Sequence, residues 1–189
     1  NPAGLLAFQN AEYTVTEGTP AVTATVIRRE GSSGAVSTRV LVANGSATAP
    51  RDFINNSPVS LELADGQTEA TISVPIVDDG VFEGSESFSL FLDSLTGGAS
   101  FGATRRATVT IEDNDNPPGR LSLEAAEYTV TEGTANLEVA VVRTGGSAGS
   151  IGADLFVRDG SAIAPDDYTD ISPRRVEFED GQRSEEHTS

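Results

Sequence analysis

The chain has 189 residues and a formal net charge of -17, and 37% of its residues are hydrophobic. An excess of carboxylates this large repels nucleic acid and anionic membranes, which bind proteins through basic groups, so neither is expected as a partner. Cys is absent and the single His is His187, which excludes disulfides, thiolate metal sites, an ordinary zinc site and His-based catalysis. The chain begins without Met and reads as part of a longer protein. No apolar run reaches the roughly 18 residues of a membrane-spanning helix, and we expect no direct membrane insertion by this part.

Alternation of apolar and polar residues predicts half-buried strands, and no segment has a helical period. Glycine-containing turn signals separate the alternating segments. We therefore predict an all-β chain of tandem domains, each an immunoglobulin-like antiparallel β-sandwich. Pro75 belongs at a sheet edge or a strand end, because it has no backbone N–H for the ladder. The predicted strands of the first domain are 5–8, 13–17, 21–29, 36–43, 59–63, 69–76, 85–92 and 103–112.

Residues 78–86, between two predicted strands, hold four carboxylates in nine positions. Carboxylates this close repel one another, and either water or a hard cation must relieve the repulsion. Ca²⁺ takes about 6–8 oxygen ligands, many of them carboxylates. A charge run alone is usually a solvated loop, so a calcium interpretation requires other acids to converge on the same place.

An internal repeat organises the chain. Residues 12–19, EYTVTEGT, recur letter for letter at 127–134, an offset of 115, and 28 of the 62 positions from Leu6 to Gln67 are identical to their counterparts. A period this long is typical of an array of whole domains, each with its own core. The predicted segments are a complete domain at 1–116, a short, stiff Pro-rich linker at 117–119 and a truncated second domain at 120–182.

The C-terminal residues 183–189 do not resemble their counterparts in the first copy. They read as a translated sequencing adapter, and we exclude them from the fold argument. The second copy then lacks a counterpart of the acidic stretch and keeps only Glu132 and Asp167 of the acids considered below, with Asp166 next to Asp167. We expect no intact metal site in the second copy.

Four motifs, in order, make the first copy and the surviving half of the second resemble the Calx-beta domain. They are VTEG at 15–18, GSATAPRDF at 45–53, VDDGVFEGSESF at 77–88 and ATVTIEDND at 107–115. Domains of this family occur in the regulatory loops of sodium-calcium exchangers and in long repetitive extracellular proteins.

The resemblance implies a Ca²⁺ cluster at one pole of the sandwich. Mg²⁺ is the weaker candidate, because it prefers strict octahedral geometry and keeps its waters. Exchanger domains have an acid where this chain has Asn114. An Asn carbonyl can still coordinate, but one negative charge is lost, which leaves the number and affinity of the ions open. The implied ligands are Glu17, Asp52, Asp78, Asp79, the Val81 carbonyl, Glu83, Glu86, Asp113, Asn114 and Asp115.

The position of Asp113 and Asp115 directly before the Pro pair predicts a mechanical role, in which bound Ca²⁺ fixes the angle at which the next domain leaves. We expect a calcium-binding structural or adhesive repeat of a secreted or cell-surface protein, with a role in cell adhesion and cell communication. The expected partners are neighbouring Calx-beta domains of the same chain. The absence of Lys hints at a bacterial source.

Two alternatives stay open at this point. One is a regulatory calcium sensor of a membrane transporter or receptor, and the other is a metal-free spacer or β-sandwich that binds a protein or cell-surface ligand. We do not expect an enzyme. An acid pair such as Asp78 with Glu83 acts on a glycoside only at a defined separation inside a substrate cleft.

Overall fold

A computed structural model describes residues 1–188, and the side chains of residues 1–183. The chain divides into two compact units, the first being Asn1–Asp115 and the second beginning at Asn116. Strands are the only regular elements assigned to the described residues. No helix long and apolar enough to cross a membrane occurs among them.

Unit one is a sandwich of two sheets. One sheet has the strand order β6-β3-β1-β8 and the other has the order β2-β9-β7-β4-β5. The chain passes from one sheet to the other between β1 and β2, so its N-terminal segment contributes to both. The strands are β1 (Leu5–Phe8), β2 (Glu12–Thr16), β3 (Ala21–Arg29), β4 (Val36–Asn44), β5 (Val59–Leu63), β6 (Glu69–Pro75), β7 (Glu86–Leu95), β8 (Ser100–Phe101) and β9 (Arg106–Glu112).

The predicted immunoglobulin-like sandwich is confirmed, with two departures in detail. The pairs β1–β8 and β2–β9 are parallel, whereas the other pairs in unit one are antiparallel. The predicted strand 103–112 begins only at Arg106, and the short strand Ser100–Phe101, which the sequence did not predict, precedes it and pairs with β1. Gly102 lies between these two strands, where an added Cβ would approach the Cβ of Ala7 to 3.0 Å.

The core of unit one follows the period of two that the sequence predicts. Strand β3 contributes Val22, Ala24 and Val26 to this core, and β7 of the other sheet contributes Phe88, Leu90 and Leu92. The Phe88 ring stacks on Phe53 with the ring centroids 4.2 Å apart. Pro75 is the last residue of β6, which is an edge strand, as predicted.

Unit two repeats five strands of unit one. The sheet β10-β11-β14 corresponds to β1-β3-β6, and the pair β12–β13 corresponds to β4–β5. The strands are β10 (Arg120–Leu123), β11 (Glu138–Thr144), β12 (Ile151–Leu155), β13 (Arg174–Phe178) and β14 (Ser184–Thr188).

Strand β14 comes from the segment interpreted above as adapter sequence. It pairs with β11 in the register that β6 uses with β3: Val141 lies opposite Glu185, as Val26 lies opposite Ala70. The adapter interpretation of 183–189 stays a prediction, and Ser189 lies outside the described residues.

Unit two has no described counterpart of β7 or β9, and its core is uncovered on that side. Leu123, Val130 and Val157 are 48%, 48% and 41% exposed. The residues of unit one at the same offset, Phe8, Val15 and Val42, are all buried. The smaller core of unit two is built around Val141, Val176 and Phe178.

Candidate metal centre

Strand register brings three separate acidic segments to one pole of unit one. Thr16 lies opposite Glu112 in the parallel pair β2–β9, and Glu86 lies opposite Ile111 in the antiparallel pair β7–β9. The residues after β2, after β9 and before β7 therefore meet at the same end of the sheet. We call this end the acid pole.

The first carboxylate cluster at the acid pole consists of Glu17, Asp113 and Asp115, whose ligand oxygens all lie within 4.8 Å of one another. The Glu17 N–H donates to the Glu112 carbonyl at 2.9 Å, which continues the β2–β9 ladder into the cluster. Asp113 accepts three backbone N–H groups, from Glu83 at 2.5 Å, Gly84 at 2.6 Å and Asp115 at 2.7 Å. These hydrogen bonds attach the loop before β7 to the end of β9.

The second cluster consists of Asp52, Glu83 and Glu86, with the same mutual limit of 4.8 Å. Asp52 is buried, and its Oδ2 accepts the Thr48 N–H at 2.6 Å. The neighbouring Arg51 forms an ion pair with Glu83, with 3.4 Å between Nη1 and Oε1. Because the Glu83 N–H bonds Asp113, the two clusters are adjacent.

Of the remaining predicted ligands, Asp78, Asp79 and Asn114 lie beside the first cluster, and Val81 is bonded to Asp79 through its N–H. Asp79 Oδ1 accepts the Val81 N–H at 2.8 Å, which closes a tight turn and leaves the Val81 side chain exposed. Asn114 donates from Nδ2 to the Glu17 carbonyl at 2.8 Å and to Asp78 Oδ1 at 3.1 Å. The amide N–H₂ of Asn114 therefore faces Glu17 and Asp78, and its hydrogen bond stabilises the carboxylate of Asp78.

The electrostatics of the first cluster are those of crowded carboxylates. Partial burial raises the pKa of Glu17, and the negative charges of Asp79, Asp113 and Asp115 add to this against a hydrogen bond from the Asp79 backbone. Partial burial and the charge of Asp113 likewise raise the pKa of Asp115. Burial acts the same way on Asp113, but its three backbone N–H donors outweigh it and lower the pKa.

In the second cluster, Glu86 is the carboxylate whose pKa is raised. Burial raises its pKa first, followed by the charge of Asp52, a hydrogen bond shared with Asp52, and the charge of Glu83. Arg51 opposes these effects. A bound cation would offset this repulsion between like charges.

The donor set fits a hard cation. Asp115 Oδ2 is buried and has no hydrogen-bond partner among the described residues. An unpaired buried carboxylate oxygen costs free energy, which a bound ion would remove. The predicted side-chain donors are oxygen atoms from carboxylates and one amide, the ligand type that Ca²⁺ prefers. Ca²⁺ bound here would supply the positive charge that the acid pole lacks.

Two features of the acid pole went unnoticed in the sequence. Arg51 lies inside the GSATAPRDF motif at 45–53, but only the fold shows that it forms an ion pair with Glu83. Gly18 has φ of +84°, and an added Cβ would lie 3.0 Å from Asn114 Nδ2. Its place directly after an acid at a strand end was the available signal, since glycine is favoured where φ is positive.

The acids retained in unit two do not form a cluster of this kind. Asp166 and Asp167 are exposed, and Asp167 Oδ2 accepts the Ile163 N–H at 2.9 Å. Glu132 is exposed as well. Among the described residues, the carboxylate clusters able to hold an ion belong to unit one.

Fold and acid pole together define a class of protein: tandem immunoglobulin-like β domains, the first of which gathers carboxylates at one pole. The sequence pattern of the Calx-beta domain matches residues 1–115 and again residues 114–188. The chain belongs to the Calx-beta family.

Several known proteins are similar to the chain. The adhesion G-protein coupled receptor V1 of Danio rerio is 30% identical over 191 residues, which is 95% of this chain and 3% of the receptor. The sodium/calcium exchanger Calx of Drosophila melanogaster is 27% identical over 161 residues, or 85% of this chain and 17% of the exchanger. The chain thus spans a small fraction of these relatives.

Solved structures agree with the fold. CBD12 from CALX1.2 superimposes with a TM-score of 0.58 at 25% identity, over 97% of this chain and 73% of that one. The apo form of the Calx CBD1 domain gives a TM-score of 0.56 at 30% identity, over 58% of this chain and 96% of that one. Both are Calx domains, and the tandem arrangement of this chain has a counterpart in the first.

Proposed function

We propose that the chain binds Ca²⁺ at the acid pole of unit one and serves as a structural repeat of a larger secreted or cell-surface protein. In this role the ions stiffen the connection to the next Calx-beta domain. Asp115 is both a cluster residue and the last residue of unit one, so an ion held by it acts at the point where the chain leaves the domain.

The observation that carries the proposal is the unpartnered Asp115 oxygen inside a carboxylate cluster. A merely solvated acidic loop would turn its oxygens toward water. Calcium that binds only the folded state stabilises it by RT ln(1 + [L]/Kd), about 2.7 kcal/mol at a hundredfold excess over Kd. Two clusters favour at least two ions, one for each group of three carboxylates.

The first experiment is calorimetric titration of the full chain with Ca²⁺, and with Mg²⁺ as a competing ion. The variant Glu17→Gln/Asp115→Asn removes two charges from the first cluster and should lose the binding heat of the ion held there, while the second cluster still binds. The matched variant Glu62→Gln/Glu69→Gln removes two exposed charges elsewhere on unit one and should bind as the unmodified chain does. Absence of binding at millimolar Ca²⁺ would leave the acid pole a solvated surface.

A second candidate function is a regulatory calcium sensor, which the matching sodium/calcium exchangers favour. The same titration separates the two, because sensors bind Ca²⁺ with Kd of about 10⁻⁷–10⁻⁵ M and extracellular modules with about 10⁻⁴–10⁻³ M. A submicromolar constant would favour the sensor and a cytoplasmic location. A weak constant would favour the structural repeat, whose extracellular location and bacterial source are part of the proposal.

Stiffening itself is tested by small-angle scattering of the full chain with EDTA and with Ca²⁺. The pair-distance distribution should change when the ion binds, because the connection between the units loses freedom. An unchanged distribution in a chain that binds Ca²⁺ would leave calcium binding intact and remove the mechanical role.

A further inference from the structure

Unit two contains a buried guanidinium that holds the segment joining it to unit one. Arg143 on β11 is 2% exposed. Its Nε donates to the Pro118 carbonyl at 2.8 Å and its Nη1 to the Glu179 carbonyl at 3.2 Å. Its Nη2 donates to the carbonyls of Ala148 at 2.5 Å and Gly149 at 2.9 Å. One side chain thereby ties three separate backbone segments together.

Unit one repeats this arrangement atom for atom. Arg28 on β3 is 3% exposed, and its donors reach the carbonyls of Ala3 at 2.6 Å, Ala64 at 3.4 Å, Ser33 at 2.7 Å and Gly34 at 2.9 Å. Each acceptor lies 115 residues before its counterpart in unit two. Because the same contacts recur in both units, they are a feature of the domain.

Burying a guanidinium inside a β-sandwich costs free energy. Arg stays protonated in proteins, so its charge must be compensated inside the fold. No ion pair of Arg28 or Arg143 is found in the described part of the chain, and backbone carbonyls provide the compensation. An apolar residue would fill the position at lower cost but would not hold the segments. The physical role of the side chain is therefore to fix backbone.

In unit two the held segment is the connection itself. The Pro117 carbonyl accepts the Ala148 N–H at 3.2 Å, and Asn116 Nδ2 lies 3.0 Å from Ser147 Oγ. With Pro118 bound to Arg143, each residue from 116 to 118 is attached to unit two. On the other side, Asp115 belongs to the first carboxylate cluster of unit one.

We propose that Arg143 is the positioning residue that couples unit two to the acid pole. It attaches the start of unit two to the rest of that unit. Because the attached residues directly follow Asp115, Ca²⁺ that orders Asp113 and Asp115 would also restrict the motion of unit two. The calcium step of this inference rests on the proposed function. We call the hydrogen bonds from Arg143 to the carbonyls of Pro118, Ala148, Gly149 and Glu179 the clamp. The clamp acts with or without the ion.

The test measures the distance distribution between two spin labels, one in each unit. The chain has no Cys, so Ser60→Cys and Ser161→Cys give one exposed label site per unit. Lys cannot reproduce the planar fork of Arg, so Arg143→Lys should broaden the distribution in EDTA and abolish its narrowing by Ca²⁺, without changing the calcium affinity of unit one. Arg28→Lys is the matched control, because it opens the same clamp at Ala3, away from the connection.

Equal broadening by the two Lys variants, or none by Arg143→Lys, overturns the inference. If Ca²⁺ binds but narrows nothing in the unmodified chain, the stiffening role fails, and the comparison in EDTA still decides the clamp. Hydrogen exchange of β12 and β13 reports whether unit two stays folded. If Arg143→Lys unfolds it, Ser147→Ala replaces it, with Ser32→Ala as control, since Asn1 Nδ2 bonds Ser32 Oγ at 3.1 Å in the matching place. Broadening by Ser147→Ala alone supports the clamp, and equal effects overturn it.

Discussion

At the scale of single residues, the acid pole depends on a small number of hydrogen-bond donors. Backbone N–H groups lower the pKa of Asp113, and Arg51 opposes the rise in the pKa of Glu86. Asn114 contributes two more donated hydrogen bonds, to Glu17 and Asp78. The backbone donors to Asp113, the charge of Arg51 and the bond to Asp78 stabilise negative charge that would otherwise repel its neighbours, whereas the bond to Glu17 goes to its backbone carbonyl.

We predict opposite effects of Asn114→Asp with and without calcium. The change replaces a donor by a carboxylate beside Asp78, so the melting temperature in EDTA should fall. Ca²⁺ affinity should rise, because the ion gains a charged ligand. Calorimetry and thermal unfolding check both, with Asn56→Asp as a control that adds the same charge at an exposed site. A variant with lower calcium affinity would show that Asn114 is needed as a donor.

A second residue-scale prediction concerns the core. Phe88 is fully buried and stacks on Phe53, whereas Phe91 on the same strand faces outward and is only partly buried. Phe88→Ala should reduce the free energy of unfolding by about 3–5 kcal/mol, since it leaves a cavity. Phe91→Ala should cost much less. Denaturant titrations compare the two, and equal losses would contradict the assignment of Phe88 to the core.

At the scale of elements, one sequence adopts two structures. Residues 12–16 form β2, which pairs with β9, whereas the identical residues 127–131 form no strand. The ladder partner decides the outcome, because unit two has no described counterpart of β9. Strand propensity is a weak preference that tertiary pairing overrides.

Hydrogen exchange on the full chain should show this difference directly. Amide protons of 13–16 are expected to exchange slowly and those of 128–131 quickly, although the letters are the same. Strands β1 and β10 are the internal control, because both are paired and both should be protected. Comparable protection of the two EYTVT segments would mean that unit two completes its sheet in another way.

This pair of segments also shows what sequence reasoning can reach. The period of two predicted most strands of unit one, and the repeat predicted two similar domains, because the first signal is local and the second comes from comparing the chain with itself. The parallel pairing of β2 with β9 connects residues about a hundred positions apart and leaves no local pattern. The same holds for the Arg51–Glu83 ion pair and for the division of six of the ten expected ligands into two clusters of three. Arg28 did leave a signal, since it occupies the inward register of β3 after Val22, Ala24 and Val26.

At the scale of the whole molecule, the net charge of -17 sets how the fold responds to its medium. The acids that carry raised pKa values are gathered at the acid pole, where unit one ends. Repulsion there opposes folding, and salt or a bound cation relieves it. Stability of unit one should therefore depend on pH in a direction that calcium reverses.

The direction of this pH dependence follows from the number of protons bound by the folded and unfolded states. Glu17, Glu86 and Asp115 have raised pKa values in the folded chain, so above the ordinary values of 4.5 for Glu and 3.8 for Asp the folded state binds more protons than the unfolded state. In EDTA the free energy of unfolding should then fall as pH rises through and above this range. Asp113 acts oppositely: its lowered pKa contributes stability that is present above 3.8 and lost as pH falls further.

Thermal unfolding in EDTA between pH 4 and pH 7 checks this direction, and the same series in Ca²⁺ should reverse it, because the ion binds the deprotonated carboxylates. Glu17→Gln/Glu86→Gln should flatten the pH dependence in EDTA, since it removes two of the three groups that cause it. Glu62→Gln/Glu69→Gln removes the same number of charges from exposed positions and should leave the slope in place. If both variants flatten the slope equally, general repulsion over the whole surface, rather than the acid pole, governs the stability of unit one.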